Sequence, residues 1–276
     1  MPKKTEKKSS KKKAGKKNLP ATQSSKAVSK DLAGDMVQDA QSRAGLENIT
    51  SDDVAIPFLS ILQAMSPQVR GATKIKGAKE GDFFNNVTGE IFEGPISVIP
   101  CAFVKKYVEW IPRDQGGGFV ASHDDESILA MTTRDDKGHD IHKETGNQIV
   151  RTAYHYVLHV KDDGSVVPVV LSFTSTQLKK SRRWNSQQLA LKITDRNGRK
   201  LTPPSFSHTY QVDSVEESNE KGAWMGFDIG QAEIIGDAEV YAEAKSFHND
   251  IHSGAVQLGT PPAEGGSNAP DDPEYM

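Results

Sequence analysis

Residues 151–161 alternate with the two-residue period of a β-strand. Thr152, Tyr154, Tyr156, Leu158 and Val160 fall on one face, and Arg151, Ala153, His155, Val157, His159 and Lys161 on the other. Asp162-Asp163-Gly164-Ser165 is a turn signal, and residues 166–173 resume the extended pattern. Such a hairpin cannot stand alone and must find other strands. The chain supplies them: a hairpin over 83–92 around Gly89, an extended run over 96–110, and strands over 206–213 and 223–235. Pro100 marks an edge or a bend in the long run. Gly116-Gly117-Gly118 reads as a flexible hairpin tip, and the acid-rich residues 121–147 as a surface insertion.

Helical patterns are fewer. Residues 54–65 form a nearly continuous apolar run after Ser51-Asp52-Asp53, with Pro57 tolerable in a first turn and Pro67 limiting the far end. They read as a short helix that could also serve as a subunit contact, making a homo-oligomer an open expectation. Thr174 or Ser175 can cap a helix over 176–191. The clearest helix follows Asp237, with Val240, Tyr241, Ala244, Phe247, His248 and Ile251 on one stripe and Gly254 as its stop. Short strands with two to three helices and no βαβ alternation predict a mainly β or α+β fold. The expectation is an OB-like antiparallel β-barrel with hairpin insertions, ahead of an open antiparallel sheet packed on helices.

Charge divides the chain. Residues 1–30 hold eleven Lys and one Glu, a net +10, while the rest holds 23 basic and 36 acidic residues, a net −13, giving −3 overall. The reading is a disordered Lys-rich arm over 1–50, a folded domain over 51–254 with 30–46 transiently helical before it, and a disordered Pro/Gly-rich acidic tail over 255–276. Because the folded part is acidic, a nucleic-acid surface on it must be a local groove. Cys101 is the only cysteine, which excludes an intrachain disulfide or a multi-Cys zinc site and fits a reducing cytoplasm. No window is long and apolar enough to span a bilayer.

Catalytic chemistry is not evident. Gly116–Gly118 lacks the Lys-Ser/Thr of a P-loop, and His139 with His142 has no Cys and no second pair to hold a metal. Asp124, Asp125, Glu126, Asp135 and Asp136 read as a solvated acidic loop, and Cys101 as a small buried hydrophobe. The chain is therefore expected to bind rather than catalyse, with no cofactor.

Residues 173–192 carry the binding signal: Lys179, Lys180, Arg182 and Arg183 precede Trp184 directly, with hydroxyls and amides on both sides. Cations that neutralise phosphates beside a ring that stacks on a base are the chemistry of single-strand binding. A solvated basic helix with Trp184 as its core anchor is the competing reading. On the long strand, Lys105, Tyr107 and Glu109 share one face and Lys106, Val108 and Trp110 the other. Tyr107 or Trp110 would add a second stacking ring, against the alternative that each fills the barrel. Lys105, Lys106 and Arg113 would extend the phosphate track. The tail residues Asp271, Asp272, Glu274 and Tyr275 could recruit replication or recombination proteins, or compete with nucleic acid for the basic groove.

Gly81-Asp82-Phe83-Phe84-Asn85, Thr88-Gly89-Glu90-Ile91, Val98-Ile99-Pro100-Cys101, Tyr107-Val108-Glu109-Trp110, Pro112-Arg113 and Ser175-Thr176-Gln177-Leu178-Lys179, with the closing helix, resemble strings in a group of bacteriophage single-stranded DNA-binding proteins. The resemblance spans about residues 55–255. It implies a non-enzymatic protein of the host cytoplasm that binds and protects single-stranded DNA in phage replication or recombination. Its acidic tail is sparser than in such proteins, and the Lys-rich start is not one of their general features. A recombination mediator or annealing protein is one alternative. Another is a structural phage protein whose basic arm touches packaged DNA.

Overall fold

The computed structural model describes residues 30–42, 44–49, 53–71, 73–220, 222–259 and 261. The chain divides into two units, residues 1–49 and 50–276. In the first, α1 (Lys30–Gln41) is a formed helix within the span expected to be disordered. The Lys-rich residues 1–29 and the tail with Asp271, Asp272, Glu274 and Tyr275 lie outside the described residues, as do Ser51 and Asp52.

The second unit runs β1 (Ala55–Ile56), β2 (Leu59–Ile61), α2 (Pro67–Arg70), β3 (Phe83–Asn85), β4 (Ile91–Phe92), β5 (Ile96–Ile111), β6 (Gly118–His123), β7 (Thr132–Arg134), β8 (Asp140–His142), β9 (Gln148–Val160) and β10 (Val166–Thr174). There follow α3 (Leu178–Ala190), β11 (Ile193–Thr194), β12 (Lys200–Leu201), β13 (His208–Asn219), β14 (Gly222–Ile234), α4 (Ala238–His252) and β15 (Gln257–Leu258). Among the described residues, eight strands join one antiparallel sheet that curls into half a barrel, the mainly β architecture expected. Its axis is the β5–β9 pair, in register from Ser97 opposite Val160 to Trp110 opposite Gln148. The sheet forks around that axis. At one end the order is β14-β13-β5-β9-β10; at the other it is β6-β5-β9-β8-β7. The acid-rich insertion thus supplies three strands to the sheet.

Both faces of the axis are covered. Val108, Trp110, Tyr154, Tyr156 and Leu158 pack with Ala244 and Phe247 of α4 on one face. Ala153, Val157, Leu171, Phe173 and Val212 pack with Trp184 of α3 on the other. The stripe on α4 folds as its spacing predicts. The Asp237 carboxylate accepts from the Glu239 and Val240 N–H groups, at 2.7 and 3.3 Å, which anchors the first turn. Before α3, Thr174 makes no side-chain cap bond, and a 3-10 turn over Ser175–Gln177 leads in instead.

Two expectations change and one holds. The apolar run 54–65 is not a helix: β1 pairs with β15, Phe58 bridges Val170, and β2 pairs with β3. A continuous apolar run has no 3.6-residue period to stabilise a one-sided helix. Here Ile56, Phe58, Leu59 and Leu62 are all buried by strands distant in sequence. Pro100 lies, as expected, at a local edge and a bend: the β13 pairing ends at Val98, β6 joins only from Tyr107, and a bulge separates Pro100 from Ala102. Residues 255–259 belong to the folded body, because β15 closes on β1. Among the described residues, no helix is long and apolar enough to cross a membrane.

Candidate nucleic-acid interface

The seat of α3 decides which of its residues can meet a ligand. Ser181 and Trp184, one turn apart, are the buried positions of the helix. Trp184 stacks on His155 of β9 with ring centroids 4.5 Å apart and 18° between planes, and Ser181 Oγ lies 2.7 Å from His155 Nε2. Burial pushes the His155 pKa down to about 3, so a neutral imidazole is what Trp184 rests on. Phe173 and Tyr210 complete the enclosure at 6.3 and 5.5 Å, and Trp184 is 0 % exposed.

This overturns Trp184 as a base-stacking ring. The four cations beside it also separate. Lys180 reaches the β13–β14 hairpin, where its ammonium donates to the Phe227 carbonyl of β14 and pairs with Glu217 of β13. Gln177 Nε2 and Trp224 Nε1 donate to the same Glu217 carboxylate at 2.8 and 2.9 Å. Burial opposes ionisation of Glu217, but the hydrogen bonds from Lys180, Gln177 and Trp224 outweigh it and hold its pKa below the ordinary value. Lys180 is therefore an anchor of the helix rather than a phosphate contact. Lys179, Arg182 and Arg183 are exposed on the opposite side of the helix.

The sheet face beneath α3 continues onto β5. Phe103 is the cross-strand partner of His155, with ring centroids 5.1 Å apart, and Lys105 follows two residues on along the same face. Lys105 is exposed, and Phe103 is 41 % exposed. Next in the row is Tyr107, opposite the half-exposed Arg151, whose Nε lies 3.9 Å from Asp140 Oδ2. The faces are assigned as the alternation predicts, but the exposed ring is Phe103. Tyr107 is buried, with a hydroxyl pKa raised by burial and by Glu126, and Trp110 is buried against Phe119 in the core on the α4 side. Neither ring can stack on a base. Lys106 lies on that opposite face and pairs with Asp124, while Arg113 is exposed in the turn beyond the far end of β5. Of the ten candidates, Lys179, Arg182 and Arg183 share the exposed side of α3, and Lys105 is exposed on the sheet face on which α3 packs; Lys180 and Lys106 are paired, Trp184, Tyr107 and Trp110 are buried, and Arg113 lies beyond the end of β5.

Between α3, Phe103 and the segment 202–205 lies a cleft of about 340 Å³. Lys192 sits at its mouth, donating to the Leu189 carbonyl at 3.0 Å and to Thr202 Oγ1 at 2.7 Å. Sequence reasoning counts Phe103 among the chain's few aromatics without choosing it as a stacking ring, and does not single out Lys192. Phe103 is in phase with Lys105 and could have been found by the strand period; Lys192 comes to the cleft only through the path of the chain after α3. Cys101, expected as a buried hydrophobe, is buried, and burial pushes its thiol pKa up to about 12.

A family model described as Pam3 phage gp34-like protein matches residues 23–257. No curated protein and no solved structure matches the chain. The match takes in nearly all of the described structure, from α1 to β15. The chain belongs to the Pam3 phage gp34-like protein family.

Proposed function

We propose that this phage-family protein binds single-stranded DNA without sequence preference, along the sheet face beside α3. One observation carries the reading: exposed Lys105, Arg182 and Arg183 accompany a large aromatic ring, Phe103, left 41 % exposed on the face where α3 sits. Cations that follow a phosphate backbone and a ring open to an unpaired base are the two parts such a surface needs. Lys179 and Arg151 lengthen the track. A duplex hides its base faces, so a ring on this surface favours the single strand. Protection of single strands during phage replication or recombination is the role this chemistry suits, with no bond made or broken by the protein.

The test is binding of a labelled deoxythymidine oligomer by the full chain across a salt series, beside a duplex of equal length. The expected result is preference for the single strand and affinity falling with salt. Replacing Lys105, Arg182 and Arg183 together by Ala should reduce the salt slope by about 0.7 for each phosphate no longer neutralised. An unchanged slope and affinity would transfer the binding to the Lys-rich residues 1–30 and favour a structural phage protein with a DNA-contacting arm. No preference for the single strand would refute the reading.

A further inference from the structure

We infer that the cleft between α3 and Phe103 is a base-binding subsite, which receives one unstacked nucleobase while the strand's phosphates stay outside. The inference rests on the single-strand reading and adds to it where a base goes and what holds it. None of the residues lining the cleft is charged. A phosphate would gain nothing inside; a neutral, planar, hydrogen-bonding group would. At about 340 Å³ the cleft falls in the range, roughly 300–1,000 Å³, of sites that hold small organic ligands.

The lining matches a base in kind. The half-open ring of Phe103 offers a π-face. Asn185 and Gln188, neighbours on one side of α3, each carry a carboxamide whose donor and acceptor lie side by side, as they do on the edge of a base. Pro203 and Pro204 close the opposite wall without placing a charge there.

Tyr210 adds a second ring to the lining. It is 1 % exposed and its hydroxyl is closed off from the cleft, so what it contributes there is the apolar edge of its ring. The cations stand where the phosphates of that nucleotide would run: Lys192 at the mouth and Lys105 two residues beyond Phe103. A neutral interior with a cationic rim takes the base in and keeps the phosphate out.

The experiment compares a short deoxythymidine oligomer with an abasic oligomer of the same length, titrated against the full chain, its Phe103→Ala variant and its double variant Asn185→Ala/Gln188→Ala. Wild type should bind the base-bearing oligomer about tenfold more tightly, as one stacked base contributes. Phe103→Ala should abolish that difference, and the double variant Asn185→Ala/Gln188→Ala, which removes the two carboxamides of the lining, should narrow it several-fold. Salt-sensitive binding with no preference for bases, or a preference that survives both variants, would overturn the subsite and leave the single-strand reading standing. Failure to bind either oligomer would overturn both.

Discussion

Trp184 and Phe103 flank the same imidazole, yet their substitutions should act on different properties. Trp184 is enclosed by His155, Phe173 and Tyr210, so Trp184→Ala empties a large volume and should cost about 3–5 kcal/mol of stability by urea denaturation. Phe103→Ala removes a ring already open to solvent and should cost under about 1 kcal/mol while weakening oligonucleotide binding. A Trp184→Ala protein of wild-type stability would contradict the enclosure. The basic string around Trp184 was legible as a helix, but adjacency in sequence says nothing about which side of the helix a residue takes. The helical period says more. Ser181 and Trp184 share a face, and Lys179, Arg182 and Arg183 fall opposite it, so the direct neighbours of Trp184 leave it covered. What no local pattern contains is Lys180 reaching Glu217 and Phe227, because both belong to a hairpin that follows tens of residues later.

At the scale of elements, β14 is the vulnerable one, since it ends the main sheet and has β13 as its partner on one side alone. Two glutamines occupy its other edge. Gln63 Nε2 donates to the Met225 carbonyl at 2.9 Å and the Met225 N–H donates back to Oε1 at 2.8 Å. Gln177 accepts from the Phe227 N–H at 2.9 Å and donates to Glu217. Gly226 lies between these two positions because a side chain there would strike Gln177 Nε2 and Glu217 Oε2, each 2.7 Å from where its Cβ would be. The edge groups of Met225 and Phe227 are thereby satisfied without another strand, which denies that stretch to a second molecule. Gln177→Ala should cost about 1–3 kcal/mol by leaving the Phe227 N–H buried and unpaired. It should also speed hydrogen exchange at Phe227 well beyond that at Val212, which lies on the inner strand. Equal protection at both sites would mean that β14 needs no clasp. The same distant pairing explains why residues 54–65 misled. Strands with period-two alternation or turn residues, such as β9 and β10, were legible locally. β1 and β2 are strands only because β15, β3 and Val170 lie beside them.

The whole molecule should respond to acid through the histidines under α3 and around the sheet. His155, His159 and His208 all have their pKa lowered, each chiefly by burial, and for His155 the value is about 3 against an ordinary 6.5. Such a group takes a proton only after unfolding across the window between those values. The unfolded chain then binds more protons than the folded one, so stability rises with pH through the window and falls as pH drops below 6.5. Glu217 and Glu109, whose pKa values are held below the ordinary 4.5, add to the loss only at lower pH, as they are protonated in turn. Folding free energy measured by denaturant should therefore be flat near pH 7–8 and decline from pH 6.5 to 5. Each neutral buried histidine contributes up to about 1.4 kcal/mol per pH unit. His155→Gln should be less stable at pH 7, since it loses the stacked support of Trp184, but its decline should be shallower by about one proton. Phe103 and α3 stand on His155, so opening of the α3 seat with uptake of a proton at His155 should release the oligonucleotide, although acid makes the surface more positive. Electrostatics alone predicts the opposite, tighter binding as the net charge becomes more positive. The sign of the affinity change between pH 7 and 5 therefore decides whether the histidine-supported seat of α3, or net charge, governs the surface.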